Sequence, residues 1–308
     1  MPVVHTIDLN YLGIPRAIAA YLVIGPRGPV LIESGPASTL DQLAAGLAKH
    51  GLKLADIHHV LVTHIHLDHA GAAGHLARHG AHIYVHEFGA KHLLDPSKLI
   101  DSATRIYGDQ MNKLWGKIIP IPANQLTSVH DGDVIEVQGL RIEAIETPGH
   151  ARHHHSFALD DICFTGDIAG ITVPGIPEPP KGRFIALPTP PPEFDRDAWL
   201  ASLARLQARN FRVIYPTHFG ERHNPRAHFN RVGELVSEHA EFVRHQLNFG
   251  DRSPAQILAA YIAWQQRESA ADGVSQRDFA RYVSTNLLAM NVDGMIRYWT
   301  KQKEHAAS

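Results

Sequence analysis

Four potential metal ligands lie within six residues, directly after a short apolar run, and this cluster constrains the fold of the chain most strongly. The run at residues 60–62 is Val-Leu-Val, and His64, His66, Asp68 and His69 follow it. The apolar run predicts a strand, and ligands fixed at a strand end need little ordering when they bind an ion. His64 and His66 are two residues apart, so an extended backbone places both imidazoles on one side. The segment therefore predicts a strand that delivers a rigid metal-binding loop.

Three more ligand-type residues follow extended apolar runs further along the chain. His150 and Asp167 each come after a predicted pair of strands, and His218 comes after the apolar run at residues 211–215. The chain contains 23 histidines, so a single cluster could arise by chance. A repeated order of strand and then ligand is not expected by chance. We therefore expect these strand ends to lie together in the fold.

The pattern of residues 20–219 alternates between strands and helices. Two β-rich runs, 20–24 and 29–33, flank the turn sequence Gly-Pro-Arg-Gly and predict a hairpin. A helix with a leucine face follows, and Ser38 or Thr39 is expected to cap it. Strands and helices that alternate around ligand-bearing strand ends predict an α/β layered protein with its site at one edge of the sheets.

Three segments depart from this alternation. Residues 87–121 are predicted to be a helical insertion between core strands, whose aromatic residues either roof a pocket or simply pack. Residues 174–192 contain eight prolines, which predicts an extended surface loop. From residue 225 onward the pattern is helical, and residues 254–299 vaguely resemble a winged-helix domain. We therefore expect a catalytic domain at 1–224 and a helical C-terminal domain at 225–308.

The composition limits the classes of partner. The net charge is −2, and Lys/Arg are mixed with Asp/Glu, so no strong field would recruit nucleic acid or an anionic membrane. No apolar run approaches the roughly 20 residues of a membrane-spanning helix. Cys163 is the single cysteine, and the first residues lack the regions of a signal peptide. We therefore expect a soluble cytoplasmic protein that acts on a small molecule.

The seven candidate ligands are five histidines and two carboxylates, without a thiolate. This set suits borderline or hard divalent ions such as Zn, Mn or Fe, and it does not choose among them. Seven ligands exceed the four of one tetrahedral zinc, so their number predicts two ions that share a bridging carboxylate. The candidates are His64, His66, Asp68, His69, His150, Asp167 and His218.

Four motifs carry a resemblance to a known family. Segments 64–69, 147–150, 165–167 and 217–218 resemble the ordered ligand set of the metallo-β-lactamase-fold hydrolases, and most closely that of the branch with glyoxalase II and the acyl-homoserine lactonases. The resemblance implies a four-layer αββα sandwich with a helical C-terminal extension, and two divalent ions with zinc as the first choice. The implied ligands are His64, His66 and His150 for the first ion, Asp68, His69 and His218 for the second, and Asp167 for both.

Details of the motifs refine this resemblance. Antibiotic-hydrolysing members usually lack an Asp at the bridging position, so Asp167 argues against a true β-lactamase. Family members often have Asp-x-Gly after the second strand, where this chain has Glu33 at the Asp position. His153 stands where the family has glycine, and both it and His155 are expected to be surface or packing histidines. His154 is expected to support the ligands from behind.

A pair of ions permits hydrolysis without a serine or cysteine nucleophile. Metal coordination lowers the pKa of water from 15.7 to about 7, so a hydroxide that bridges two ions attacks a carbonyl or phosphorus centre at neutral pH. Asp68 is the expected proton-transfer group, and Tyr107 and Tyr215 are candidates for substrate contacts. The leading hypothesis is a small-molecule hydrolase that cleaves an ester, a thioester or a lactone.

Other functions of the same fold stay open. Some relatives with helical C-terminal domains cut RNA, but residues 226–308 contain ten Lys/Arg against nine Asp/Glu, and phosphate-backbone binding normally requires a basic surface. An RNA-cleaving nuclease or phosphodiesterase is therefore less favoured. An iron-dependent sulfur dioxygenase would differ in its metal content. A purely structural metal site is not expected, since such sites close their shell with four ligands. The C-terminal helices are expected to form either a substrate lid or the interface of a homodimer.

Overall fold

Two β-sheets packed face to face form the centre of the molecule. The computed structural model describes residues 2–172, 184–250, 252–285 and 287–307. Among these residues, the first sheet has six strands whose order in the sheet follows their order in the chain. These strands are β1 (Val3–Asp8), β2 (Ala19–Gly25), β3 (Gly28–Ile32), β4 (His59–Leu61), β5 (His82–His86) and β6 (Leu126–Val129).

The second sheet begins with four consecutive strands, β7 (Val134–Val137), β8 (Leu140–Glu146), β9 (His155–Leu159) and β10 (Ile162–Gly166). A short separate pair follows, β11 (Ile171–Thr172) and β12 (Ile185–Ala186). The last strand of the second sheet is β13 (Val213–Pro216). The order across this sheet is β13-β10-β9-β8-β7, with β10 and β13 parallel and the other pairs antiparallel.

Helices cover the outer faces of both sheets. Against the first sheet lie α1 (Leu40–Ala48), α2 (Leu67–Ala70), α3 (Ala73–Arg78), α4 (Glu87–Leu94), α5 (Ser97–Tyr107) and α6 (Met111–Trp115). On the side of the second sheet lie α7 (Arg196–Gln207), α8 (Pro225–Asn248), α9 (Pro254–Ala271), α10 (Gln276–Thr285) and α11 (Leu288–Ala307). This is the four-layer αββα arrangement that the resemblance implies, with the expected helical C-terminal region. None of the described helices is both long and apolar enough to cross a bilayer.

The layers are held together because both faces of the central strands are apolar. In β2, Tyr21 and Val23 point into the core between the two sheets, while Ala20 and Leu22 point to the outer helices. The alternation follows from the period of two along a strand. Strands that are buried on both faces have continuous apolar sequences. For this reason β2, β3 and β4 could be recognised from the sequence.

The strands that precede the candidate ligands end at one edge of this sandwich. Strands β8, β10 and β13 run in the same direction within the second sheet, so their carboxyl ends coincide. The loop after β4 joins this edge from the first sheet, because the carbonyl oxygen of Thr63 accepts a hydrogen bond from the N–H of His155 at 2.8 Å. The fold thus brings four separate segments of the chain to one place.

The C-terminal helices share a hydrophobic core with the second sheet. Phe229 of α8, Tyr261 of α9 and Met295 of α11 belong to the same buried cluster as Cys163 of β10 and Trp199 of α7. The described part of this region contains helices and no strand after β13. The division of the chain at residue 224 and the winged-helix-like character stay predictions.

Some details of the chain differ from the sequence expectations. Strand β1 was not predicted. Neither Ser38 nor Thr39 caps α1 with its side chain, because their hydroxyls donate to the carbonyl oxygens of Leu114 and Pro36. The extended surface loop expected at 174–192 lies outside the described residues as far as residue 183. Beyond it the expectation is wrong, because Ile185–Ala186 form strand β12 and residues 184–187 are buried.

Candidate metal centre

Three imidazole nitrogens converge at the centre of the candidate site. His64 Nε2 lies 2.9 Å from His66 Nδ1 and 3.2 Å from His150 Nε2, and His66 Nδ1 lies 2.9 Å from His150 Nε2. His64 and His66 come from the loop after β4, whereas His150 comes from the loop after β8. The nitrogens therefore form a compact triangle that two sheets supply together.

The other ring nitrogens determine where the protons lie. His150 Nδ1 is 2.8 Å from the carbonyl oxygen of Pro188, which only accepts hydrogen bonds, so this nitrogen carries the proton. Thr63 Oγ1 donates to Glu33 Oε1 and therefore accepts from His64 Nδ1 at 3.1 Å. The Nε2 atoms of His64 and His150 consequently face each other as lone pairs. A cation between them would remove the repulsion, so the triangle fits a divalent ion with nitrogen ligands.

A second group of ligand atoms lies beside the triangle. Asp68 Oδ2 is 3.6 Å from His69 Nε2 and 3.4 Å from His218 Nε2. Asp167 Oδ1 is 3.2 Å from His69 Nε2 and 3.4 Å from His218 Nε2, while Asp167 Oδ2 is 3.3 Å from His150 Nε2. The two oxygens of Asp167 face different groups, which is the arrangement that a bridging carboxylate requires.

Burial supports the same interpretation of the second group. His69 Nε2, Asp167 Oδ1 and His218 Nε2 are buried, and their mutual contacts at 3.2 and 3.4 Å do not have the geometry of hydrogen bonds. His218 Nδ1 donates to the carbonyl oxygen of Ala17 at 2.7 Å, so Nε2 of the neutral ring is a lone pair. Buried polar atoms without partners are costly, and a second cation would satisfy all three. The structure thus brings all seven predicted ligands together in groups that suit two ions.

The electrostatics of the site favour bound cations. Burial, reinforced by neighbouring imidazoles, holds the pKa of His64 and His66 well below 6.5. Burial also opposes a charge on His69, but the nearby carboxylates outweigh it and raise the pKa of His69 well above 6.5. Burial alone would raise the pKa of Asp68, yet the adjacent histidines lower it to about 2. Positive charge is therefore stabilised beside the two carboxylates.

Glu33 is a buried carboxylate that ties two ligand-bearing segments together. Its Oε1 accepts hydrogen bonds from Thr63 Oγ1 at 2.6 Å, from Thr217 Oγ1 at 3.0 Å and from His69 Nδ1 at 2.9 Å. Its backbone lies in the left-handed region, with φ of 66°, which is uncommon for a residue with a side chain and clusters at functional sites. Glu33 therefore orients His69 and the two threonines beside the candidate ligands. The sequence had shown only that Glu33 replaces the Asp of the Asp-x-Gly motif.

His154 lies behind Asp167 and does not point into the cluster. Its Nε2 accepts a hydrogen bond from the backbone N–H of Asp167 at 3.2 Å, and its Nδ1 donates to Thr147 Oγ1 at 2.8 Å. Gly166 makes this contact possible, because a Cβ there would lie 2.5 Å from His154 Nε2 and 2.7 Å from Thr63 Oγ1. A side chain at position 166 would clash with both residues, and this explains the glycine before Asp167.

Comparison with known proteins agrees with this geometry. The sequence profile of the Metallo-beta-lactamase superfamily matches residues 13–218, more than half of the chain. The chain belongs to this superfamily. All seven candidate ligands lie within the matched residues, and the superfamily fold binds divalent metals.

Individual relatives are distant. A metallo-beta-lactamase fold-containing protein of Sulfurisphaera tokodaii is 27% identical over 220 residues, which cover 70% of this chain and 78% of that protein. An atrochrysone carboxyl ACP thioesterase of Aspergillus fumigatus is 27% identical over 282 residues, which cover 87% of this chain and 74% of that protein. The crystal structure of a metallo-beta-lactamase family protein from Thermus thermophilus has a TM-score of 0.68 at 22% identity, covering 97% of this chain and 94% of that chain. This last likeness establishes the fold.

The candidate metal centre opens into a cavity of about 530 Å³. Asp68 is accessible from this side, with 24% of its side chain exposed. Tyr11 stacks on Trp115 with ring centroids 5.7 Å apart, and Tyr107 meets Trp115 edge-on at 5.1 Å. All three rings line the cavity, together with Met290 of α11. The aromatic residues of the insertion therefore do roof a pocket.

Three residues differ from the sequence expectations. His153 is buried beside the candidate metal centre, with its Nε2 3.2 Å from Glu193 Oε2. It lines the cavity and does not lie on the surface. Tyr11 was missed, because no pattern marks a single aromatic residue in a loop. Tyr215 was wrongly placed among the substrate contacts, since its ring packs between Tyr21 and Phe164 in the core between the sheets.

Proposed function

We propose that this protein is a hydrolase that uses two divalent ions to cleave the thioester or ester of a small molecule with an apolar acyl group. The observation that carries the proposal is the pair of unprotonated Nε2 atoms of His64 and His150, which lie 3.2 Å apart, with His150 Nε2 3.3 Å from Oδ2 of Asp167. Neutral imidazoles and carboxylates arranged in this way are ligands of divalent ions, and two adjacent ions are typical of hydrolytic sites.

The seven candidate ligands fall into two groups, one for each ion. His64, His66 and His150 would hold one ion, Asp68, His69 and His218 the other, and Asp167 would contact both. Zinc suits a set of nitrogen and carboxylate ligands without thiolates, and iron or manganese suits it as well. When bound, such ions lower the pKa of water and polarise a carbonyl oxygen.

Residues of the chain supply the rest of the chemistry. Asp68 faces the cavity, so its outer oxygen can take a proton from the attacking water and return one to the departing thiolate or alkoxide as the bond from the carbonyl carbon breaks. Tyr11 and Tyr107 line the same cavity near Asp68, and burial keeps their hydroxyls protonated by raising their pKa above the usual range, with a further contribution from Asp68. Both phenols are therefore hydrogen-bond donors for a substrate oxygen.

The cavity favours an apolar acyl group over a small hydrophilic one. Leu67, Leu99 and Leu114 line it beside the aromatic roof, as do Ile18 and Ile171. Apolar walls with a few convergent polar groups are typical of small-molecule sites. The Aspergillus fumigatus relative is named as a thioesterase, and this supports a thioester among the candidate substrates. A glyoxalase II-like or lactonase-like activity is the finer form of the same proposal.

The C-terminal helices contribute to the cavity. Leu287, Met290 and Asn291 at the start of α11 line it, and the side-chain oxygen of Asn291 accepts a hydrogen bond from the N–H of Thr189 at 2.9 Å. These contacts favour a role as a cover over the site. A homodimer interface on the outer side of the same helices stays a separate proposal.

A metal analysis followed by a substrate panel tests the proposed function. We expect about two zinc ions per chain, hydrolysis of a medium-chain acyl thioester, loss of that activity with a chelator and recovery when zinc is returned. Lactone, phosphodiester and RNA substrates belong in the same panel. Cleavage of RNA alone would replace the proposal with a nuclease, and iron with oxygen consumption on a persulfide substrate would replace it with a sulfur dioxygenase.

A further inference from the structure

One face of helix α5 combines two cations with the mouth of the cavity. Lys98, Ser102 and Arg105 all line the cavity, and all three are exposed. Their spacing of i, i+4 and i+7 places them on one side of the helix. At a rise of 1.5 Å per residue, the backbone positions of Lys98 and Arg105 are separated by about 10 Å along the axis. We call these three residues the basic face of α5.

The cations of the basic face make no close ion pair with the described residues, although the charge of Lys98 acts on the exposed carboxylate of Asp95. Several arginines near the sandwich are paired, for example Arg205 with Asp131 at 2.8 Å and Arg209 with Glu143 at 2.5 Å. No ion pair within 4 Å joins Lys98 or Arg105 to a carboxylate of the described residues. Two cations without a close ion-pair partner at the entrance of a cavity raise the local concentration of anionic ligands.

The carboxylates of the cavity are already engaged. Among the described residues that line it, the acidic ones are Asp68, Asp167 and Glu193. The first two belong to the candidate metal centre, and Glu193 contacts His153 at 3.2 Å and accepts a hydrogen bond from the N–H of Arg152 at 3.1 Å. The cavity therefore offers cations to an anionic ligand but no free carboxylate to an ammonium group. A ligand with negative groups and no amine fits best.

The same entrance is apolar between its charges. Leu12, Ile106 and Leu287 line the cavity and are more than 40% exposed, which is unusual for large apolar side chains. A ligand that covers them must be partly apolar, whereas the basic face requires anionic groups at its outer end. The cavity thus fits an amphipathic molecule with its apolar end directed inward.

We infer that the basic face of α5 binds the phosphate of a thioester carried on a phosphopantetheine arm. This rests on the proposed function, because a thioester places its acyl group at the candidate metal centre and its thiol carrier toward the entrance. Lys98 and Arg105 supply the charge, and the hydroxyl of Ser102 lies between them as a further donor. A peptide thiol such as glutathione carries an ammonium group for which the described lining has no free carboxylate.

The phosphopantetheine arm has two cellular sources, coenzyme A and a carrier protein. Both present the same phosphate at the same distance from the sulfur. The inference concerns this shared chemistry, and the experiment separates the sources.

Binding of unreactive thioethers tests the inference without catalysis. The probes are S-octyl phosphopantetheine, S-octyl pantetheine and S-octyl glutathione, titrated calorimetrically into the zinc-loaded protein. We expect the phosphate to tighten binding about tenfold, since each exposed ion pair contributes modestly, and we expect the gain to fall with added salt. In the double variant Lys98→Gln/Arg105→Gln, the ratio of the two pantetheine affinities should fall toward one.

The matched control removes two positive charges from the same helical insertion. Lys91 and Lys113 are exposed and do not line the cavity, so Lys91→Gln/Lys113→Gln should keep the full tenfold gain. The inference is overturned if the phosphate gives no gain, if the Lys98/Arg105 variant keeps it, or if S-octyl glutathione binds as tightly as the phosphorylated probe.

Hydrolysis assays separate the failure of this inference from that of the proposed function. S-octanoyl pantetheine and its phosphorylated form are the substrates. If both are hydrolysed while the thioethers show no phosphate gain, the hydrolase proposal stands and the basic face is not a phosphate site. If the thioethers show the gain and no thioester is hydrolysed, the phosphate site stands and the hydrolase proposal fails.

Two further ligands identify the source of the arm. S-octyl coenzyme A adds a nucleotide, and an S-octylated holo-carrier protein adds a folded domain. Tighter binding of either one than of S-octyl phosphopantetheine supports the inference and names the source. If both bind more weakly than S-octyl pantetheine, the basic face repels the natural arm and the inference is wrong.

Discussion

Two groups of buried histidines occur in this molecule, and they use their ring nitrogens differently. His239 of α8 has a partner on each nitrogen, with Tyr261 Oη 2.8 Å from Nδ1 and Gln265 Nε2 3.0 Å from Nε2. His64 and His150 are equally buried, but each uses one nitrogen for a protein acceptor and directs the other at a neighbouring lone pair. Burial therefore does not identify a metal ligand, whereas an unsatisfied nitrogen among other ligands does.

The difference has a structural origin. Tyr261 and Gln265 are four residues apart on α9, so one helix face presents both partners to His239. At the edge of the sandwich, the partners of His150 and His218 are backbone carbonyl oxygens of loops, which fix the proton on Nδ1. The face of α9 thus satisfies both nitrogens of His239. The loops at the strand ends satisfy only Nδ1 of His150 and His218 and leave each Nε2 directed at the common centre.

The largest expected effect comes from the same substitution in both groups. His150→Asn should remove most of the bound metal and lower kcat/KM at least about 100-fold, because even outer partners of a ligand are worth 10–100-fold. His239→Asn should keep both metal and activity and should instead lower the free energy of unfolding by about 1–3 kcal/mol, since it disturbs a buried network. Elemental analysis and denaturant unfolding measure the two effects.

Equal metal loss in both variants would contradict the distinction, because it would mean that burial in general, and not the direction of the lone pair, controls metal content. Circular dichroism of each variant checks that the sandwich has folded.

A smaller effect is expected at Glu33, which is not a candidate ligand of either ion. Glu33→Gln removes the charge that holds His69, Thr63 and Thr217, so metal affinity should fall about 10–100-fold while the ligands remain. A chelator competition measures the affinity. Glu146→Gln is the matched control, because Glu146 also lies beside a buried histidine, His86, at 3.6 Å, but outside the ligand groups. Similar losses in both variants would show that Glu33 has no special role.

The sequence predicted that the candidate ligands would lie together, because each ligand-bearing segment follows a recognisable strand. His64, His150, Asp167 and His218 come directly after apolar runs, and parallel strand directions bring such ends to one edge. The four-layer fold followed from the same runs together with the family resemblance. These features depend on local pattern and on simple topology, which the sequence contains.

The supporting residues could not be predicted, because their roles depend on distant contacts. Glu33 bonds to Thr217, which is 184 residues away in the chain. Tyr11 sits in a loop where Asn10 and Leu12 have positive φ, and the carboxylate of Asp8 bonds to the N–H groups of Asn10 and Arg16 at 2.9 Å. A leucine gives no sequence signal for the left-handed region.

The pH dependence of stability tests the paired group. Burial, with a contribution from Arg231, lowers the pKa of His239 to about 3. In the unfolded chain this imidazole binds a proton below about pH 6.5, whereas in the native state it binds one only near pH 3. The contribution of the neutral His239 to the free energy of unfolding is therefore complete above about pH 6.5 and is lost as the pH falls. Between pH 7 and pH 5 wild type should lose about 2 kcal/mol more than His239→Asn.

Urea unfolding at the two pH values measures this difference, and Trp264, whose ring lies 4.8 Å from that of His239, reports on the region by fluorescence. Identical pH slopes for the two proteins would mean that His239 is protonated in the native state and that its network is not the neutral one described above.

The smallest expected effect extends the comparison from imidazoles to phenols. The hydroxyl of Tyr261 bonds to His239, whereas the hydroxyl of Tyr11 has no hydrogen-bond partner among the described residues and lines the cavity. Tyr11→Phe should therefore lower kcat on a thioester by about five- to tenfold, as expected for one donor to a developing oxyanion in a partly open site, with little change in stability. Tyr261→Phe should lower the free energy of unfolding by about 1 kcal/mol and leave kcat unchanged. If Tyr11→Phe changes KM and not kcat, the phenol binds the substrate equally in ground and transition states, and its role is positioning rather than stabilisation of the oxyanion.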